Sequence, residues 1–293
     1  MTRPAPIICL AHGSRHPQAD QAVFEIAERI SASTGLPAFA AFLDFHPATL
    51  TTVAHRVVAA GYTEAVVVPL LFTQAFHARY DVPAAIAEAV ESIDATSSAG
   101  LTLHLTDGLG TGADMEELVA DFTAQYLAEV PAIAGTASAE NAASAENAAS
   151  AENAASAENA ASAENAASAE NADAANAAVS SSIDKLALYS VGSSQPGANE
   201  AVAEFAGRVG ARLNMRSTRA FVATGNNPGR DTEALLEFAD ERTVTVPLFV
   251  SPGLLWDKAK IRMPNGQKCT RHLGDAVAPV VISRACRALQ QAH

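Results

Sequence analysis

Two stretches of this 293-residue chain are versions of one another, and the histidines of the first are missing from the second. Ala11 to Glu25 aligns with Ser190 to Glu204, keeping the Gly13-Ser14, Pro17, Ala19 and Ala22-Val23 positions. Val68 to His77 aligns with Val246 to Leu255. His12 then corresponds to Val191, His77 to Leu255 and, in the same alignment, Asp44 to Ala223. A duplication limits the chain to two related folds in tandem. Loss of polar groups from one copy points to chemistry kept only in the other, at His12 and His77.

The length and a hydrophobic content of 49% allow two ordinary domains, each able to bury a core. Between them the hexapeptide Ser-Ala-Glu-Asn-Ala-Ala repeats from Ser138 to Asn171, with no large apolar residue to bury. Such a tract cannot form a core and reads as a tether, partly helical at most. Boundaries near Pro131 and Ser182 divide the chain into residues 1–130, a linker 131–182, and a degenerate copy 183–293. Seven acidic residues, Glu140, Glu146, Glu152, Glu158, Glu164, Glu170 and Asp173, lie in the linker without Lys or Arg, so the formal charge of -13 falls to -6 for the rest. That remainder is mildly acidic, and no basic run suggests nucleic acid.

Cys9, Cys269 and Cys286 are widely spaced and form no Cys-x-x-Cys pair, which argues against a zinc or redox motif. No apolar run approaches spanning length and the first residues lack a signal-peptide pattern, so no membrane partner and a reducing, cytoplasmic setting are expected.

Strand and helix signals alternate with short connections. Pro6 to Ala11 reads as a buried strand, and Ala22, Val23, Ile26, Ala27 and Ile30 make a helical stripe that stops at Gly35. Ala38 to Asp44 is a second strand, with Pro47 suited to the first turn of the next helix and Gly61 as its stop. Glu64 to Phe72 is an apolar run typical of a strand covered on both faces. A helix from about Pro83, a strand over Leu101–Leu105 and a helix from about Ala113 complete the half. The second half repeats the order, with strands near Leu186, Ala220 and Val244 and a last helix over Asp275–Gln291. The pattern predicts an α/β fold of two similar domains, each a parallel sheet flanked by helices.

In such sheets ligands bind beyond the carboxyl ends of the strands. His12 ends the first predicted strand, Asp44 the second, and His77 lies just past the third, so three polar groups converge on one edge. Leu10-Ala-His-Gly-Ser-Arg, Phe42-Leu-Asp with Pro47 after it, and Val68-Pro-Leu-Leu-Phe with His77 and Asp81-Val-Pro together resemble the sirohydrochlorin chelatases, small class II chelatases that insert cobalt or ferrous iron into an uncapped tetrapyrrole. The resemblance covers most of residues 6–128, with residues 184–291 similar to the divergent second copy of two-domain members. That family commonly has Glu where this chain has Asp44. The resemblance implies that His12 and His77 carry metal delivery and proton removal.

The residue types suit that chemistry. Two pyrrole N–H protons must leave as the metal sheds its own ligands, so the site needs a displaceable metal perch beside a base, and neutral imidazole serves as either. His12, Asp44 and His77 are too few to close a structural metal site. The divalent metal, ferrous iron or cobalt, is therefore expected as a substrate, with no permanent cofactor. Gly13, Ser14 and Arg15 open a helix and could hold a substrate carboxylate, as could Arg79. Trp256, Lys258, Lys260 and Arg262 could form the opposite wall, on what reads as a loop. His16 and His46 stand near the edge as auxiliary perches, while His55 and His104 read as structural. No Walker-type loop is present, so no nucleotide is expected. The rival readings are a tetrapyrrole or metal carrier and, more remotely, a Ser14–His12 hydrolase. Two linked copies could replace a homodimer, leaving the protein monomeric.

Overall fold

The computed structural model describes residues 4–72, 80–98, 100–145, 183–224 and 232–292. The first half runs β1 (Ile7–Ala11), α1 (Ala19–Thr34), β2 (Ala38–Phe42), α2 (Leu50–Ala59), β3 (Glu64–Pro69), α3 (Val82–Thr96), β4 (Thr102–Leu105) and α4 (Ala113–Ala145). The second runs β5 (Lys185–Ser190), α5 (Ala198–Arg212), β6 (Ser217–Val222), α6 (Thr232–Phe238), β7 (Thr243–Pro247), α7 (Leu254–Arg262), β8 (Lys268–Cys269), a 3-10 turn over Gly274–Val277 and α8 (Ala278–Ala292). Each half builds a four-stranded parallel sheet, ordered β2-β1-β3-β4 and β6-β5-β7-β8. The fold is α/β with two similar domains, as the alternation predicts.

The sequence shows why. Every residue of β1 is buried, because helices cover both faces of a parallel sheet. The α1 stripe Ala22, Val23, Ile26, Ala27 and Ile30 is buried throughout, and Gly35 ends the helix with φ 69°, donating its N–H to Ser31. Pro47 does not open α2. Thr49 caps that helix instead, its hydroxyl accepting from the Thr52 N–H at 3.2 Å, because a hydroxyl satisfies an otherwise orphaned first-turn donor.

The halves share one interior. A continuous apolar cluster joins Ile26, Ile30, Met115 and Val119 of the first half to Phe205, Val209, Val277 and Val281 of the second. The last helix, α8, packs on β3, β4 and α1 of the first half, while α4 lies on α5 of the second. Ion pairs clamp the exchange. Glu116 accepts from Arg208 at 2.9 Å and Arg212 at 3.1 Å, and Arg208 also donates to the Thr111 carbonyl at 2.7 Å. Arg212 first, then Arg208, hold the Glu116 carboxyl below the ordinary carboxylate range against the opposing effect of burial. Arg284 of α8 donates to the Leu109 carbonyl at 2.7 Å and to Asp114 at 3.1 Å. The two copies are thus locked by their terminal helices and not only strung on a tether.

Helix α4 continues past Pro131, where the sequence sets the domain edge, to Ala145 in the repeat. The rest of the repeat, 146–182, lies outside the described residues. Among the described residues no helix is long and apolar enough to cross a membrane.

Candidate active site

The β1–α1 and β2–α2 loops interlock at the carboxyl edge of the first sheet. Beyond the last paired residues, Ala11 and Phe42, the ladder continues as Leu43 N–H donates to the Ala11 carbonyl and Asp44 N–H to the His12 carbonyl, both at 2.9 Å. Gly13 sits at φ 93°, and a Cβ there would lie 2.0 Å from the Asp44 carbonyl oxygen. Only glycine tolerates both the left-handed backbone and that approach, so Gly13 is what lets His12 and Asp44 share one corner.

His12 is half-buried and lines a cleft of about 110 Å³ with Gly13, Ser14, Asp20, Phe42, Leu70 and Leu71 from the first half. Val250 and Ser251 of the second half complete the wall. Asp44 is exposed at the rim and its Oδ1 accepts from the Phe45 N–H at 2.7 Å. Phe45 is 46% exposed and holds φ 62°, an uncommon setting for a bulky residue. Its ring meets the edge of His12 at 6.3 Å between centroids and carries the Arg15 guanidinium 5.0 Å from its centre. An apolar platform with a cation beside it thus borders the histidine.

The other expected residues fall out as follows. The Ser14 hydroxyl accepts from the His16 N–H at 3.1 Å, and Ser193 makes the same bond to Gln195 at 3.1 Å in the equivalent turn, which has no histidine. His77 and Arg79 lie outside the described residues. Lys258 and Arg262 stand on helix α7, where the sequence predicts a loop; Arg262 pairs with Glu233 at 2.7 Å. Trp256 is not a cleft wall. It is buried in the second half's core against Tyr189, since a large indole contributes most where it is covered.

Both ring nitrogens of His16 have protein partners. Its Nδ1 accepts from the Gln18 N–H at 3.1 Å, which leaves Nε2 protonated toward Asp257 of α7 at 3.0 Å. This is a tie between the halves beside the cleft. His46 is occupied as well, with Nδ1 accepting from the Ala48 N–H at 3.0 Å and its ring against Phe42 at 4.4 Å. His55 bonds the Ser92 hydroxyl at 2.9 Å and His104 meets Glu64 at 3.2 Å, in keeping with structural roles.

The register corrects one alignment. In the second half Ala223 N–H donates to Ser190 and Thr224 N–H to Val191, so Asp44 corresponds to Thr224 and not to Ala223. The register is already displaced by one along the whole of β2 and β6, so a gap-free alignment carried over from the first strand misses a residue gained before β6. The three positions are therefore not all apolar in the second copy, and the Thr224 hydroxyl donates to the Val191 carbonyl at 2.8 Å.

Sequence reading missed Asp20, Phe45 and Ser251. Asp20 reads as an ordinary first-turn acid, and its one signal is the match to Asn199 in the duplicate. Among the described residues no three His, Cys, Asp or Glu side chains gather as a metal site.

Comparison with known proteins places these loops in context. Residues 6–126 match the family model CbiX. A sirohydrochlorin cobaltochelatase of Saccharolobus solfataricus is 35% identical over 77 residues, which span 26% of this chain and 59% of that protein. Two solved structures share the fold over the full length. SirB from Bacillus subtilis with Fe3+ matches at TM-score 0.61 and 19% identity, covering 98% of this chain and 96% of that one. The sirohydrochlorin chelatase SirB from Bacillus subtilis subspecies spizizenii in complex with cobalt matches at 0.58 and 18%, covering 99% and 97%.

Proposed function

We propose, from the premise that this chain belongs to the CbiX family of sirohydrochlorin chelatases through its residues 6–126, that it inserts a divalent metal into sirohydrochlorin in its first half. The observation that carries the reading is His12 in the cleft at the carboxyl edge of the first sheet, beneath a wall supplied by the second half. The cleft holds about 110 Å³, room for three or four waters at ~30 Å³ each, and so suits an ion and not a macrocycle. The tetrapyrrole would lie across its mouth.

At that mouth Phe45 offers an apolar ring and Arg15 a cation for a peripheral carboxylate. Gly13 and Ser14 shape the turn; Arg79, Lys258 and Arg262 complete the proposed set of substrate contacts. His12, Asp44 and His77 form the proposed metal perch, with His12 and His77 as bases. Two pyrrole N–H bonds break, their electron pairs go to the metal, and two protons leave through imidazole. A perch of few ligands holds the ion loosely enough to release it, and the metal, ferrous iron or cobalt, is consumed as substrate. Neither a resident cofactor nor a nucleotide enters the proposal. Iron would place the protein in sirohaem formation and cobalt in cobalamin formation, and a monomer with its two halves as a pseudo-dimer fits the exchanged helices.

The test is anaerobic absorbance of sirohydrochlorin with Co2+ or Fe2+, with and without protein. Many turnovers per protein molecule, above the uncatalysed rate, are expected. A spectral shift that stops at one equivalent of protein would overturn the chelatase reading and make the protein a carrier.

A further inference from the structure

The duplication makes Asp20 conspicuous. Asp20 and Asn199 are each the second residue of the helix that follows the first strand of their half. In the second half Asn199 is 5% exposed and closes the loop on itself: Oδ1 accepts from the Ser193 N–H and Nδ2 donates to the Ser193 carbonyl, both at 2.9 Å. An ionised aspartate has no hydrogen to give, so it cannot make the second of those bonds.

In the first half the Asp20 side chain lines the cleft with His12, Ser14 and Ser251, and its Oδ1 is buried without a hydrogen-bond partner. No Lys, Arg or His pairs with it among the described residues. A first-turn acid gains from the helix dipole, which accounts for a charge there. It does not account for a buried carboxylate oxygen with no donor on a half-buried side chain that lines an open cleft, an arrangement that costs free energy until something cationic meets it. The cleft admits an ion with a few waters.

From this contrast, and resting on the chelatase reading, we propose that Asp20 is a further metal-holding residue, which takes the divalent cation in the cleft beside His12 before it passes to the tetrapyrrole. A hard oxygen donor beside one imidazole gives a weak site, as a metal in transit requires.

The experiment is titration of the protein with Co2+ alone, without tetrapyrrole, for wild type, Asp20→Asn and Asp20→Glu. Asparagine is the residue the sister turn already uses, so the variant keeps the fold, which its melting temperature would confirm. Asp20→Asn should weaken Co2+ binding about tenfold or more, with Asp20→Glu recovering part of it. In turnover, Asp20→Asn should raise the KM for metal and leave that for sirohydrochlorin unchanged. Unaltered Co2+ binding in Asp20→Asn would overturn the proposal, whatever the insertion rate. Absence of turnover in wild type would strike the chelatase reading instead, and leaves the Co2+ titration still able to decide Asp20.

Discussion

The two turns that follow β1 and β5 have one backbone and two uses. Gly13 and Gly192 hold φ 93° and 87°, each pressed against the carbonyl of the neighbouring loop, and Ser14 and Ser193 make the same hydroxyl bond. In the second half the side chains of Asn199 and Thr224 serve the turn itself: Asn199 closes on Ser193 and Thr224 on Val191. In the first half the equivalent groups are two carboxylates, Asp44 at the rim and Asp20 in the cleft, beside His12. Where the second turn places neutral side chains that bond within it, the first places two carboxylates beside a histidine. The second half has not lost its place in the molecule, because it supplies Val250 and Ser251 to the cleft, Asp257 to His16 and α8 to the first sheet.

The sharpest test of the comparison places one methyl in each turn. A Cβ at Gly13 would stand 2.0 Å from the Asp44 carbonyl oxygen, and at Gly192 2.4 Å from that of Thr224. Both Gly13→Ala and Gly192→Ala should lower the melting temperature. Gly13→Ala alone should also cut the insertion rate, by about 100-fold, since it displaces His12 and Asp44 together. Equal activity loss in the two variants would show that the second turn matters to the chemistry.

Next in size is the asparagine. Asn199→Asp should destabilise the protein by about 2 kcal/mol in urea unfolding, because a buried donor is lost opposite the Ser193 carbonyl. A neutral result would mean that the second turn does not depend on its internal closure. Arg284→Ala tests the exchange. Its guanidinium joins α8 to Leu109 and Asp114, and its loss should cost about 2 kcal/mol, with both halves unfolding in a single transition. Two separate transitions would indicate independent halves.

The smallest effect is a pH dependence. Burial first, then Arg271, holds the His272 imidazole below its ordinary value of 6.5. The folded state therefore favours the neutral ring. As pH falls through 6.5 the unfolded chain takes up the proton first, so stability is fully present above that pH and declines below it. His272→Gln should flatten the fall in melting temperature on acidification below pH 6.5. An unchanged slope would assign it to other groups.

Much of this was legible because burial leaves a strong pattern. β1 and β3 are apolar on both faces, and the α1 stripe at helical spacing could only be a core face. Helix α7 was not legible: it buries only Trp256 and Ala259 and carries Lys258, Lys260 and Arg262 outward, so its composition resembles a loop. The destination of α8 was hidden for another reason, since an amphipathic helix announces that it needs a surface but not which one. Asp20 was visible only as a difference between copies. Phe45 gave no signal, because its backbone conformation is one that its side chain disfavours.

The central claim is that the chemistry resides in the first turn while the second only supports it. Its most direct test is the rate of Co2+ insertion into sirohydrochlorin for His12→Val, which gives the first turn the residue of the second, beside Val191→Ala, with both variants checked for native melting. The account predicts a fall of about 100-fold or more for His12→Val and none for Val191→Ala. Retained activity in His12→Val, or an equal fall in Val191→Ala, would contradict it.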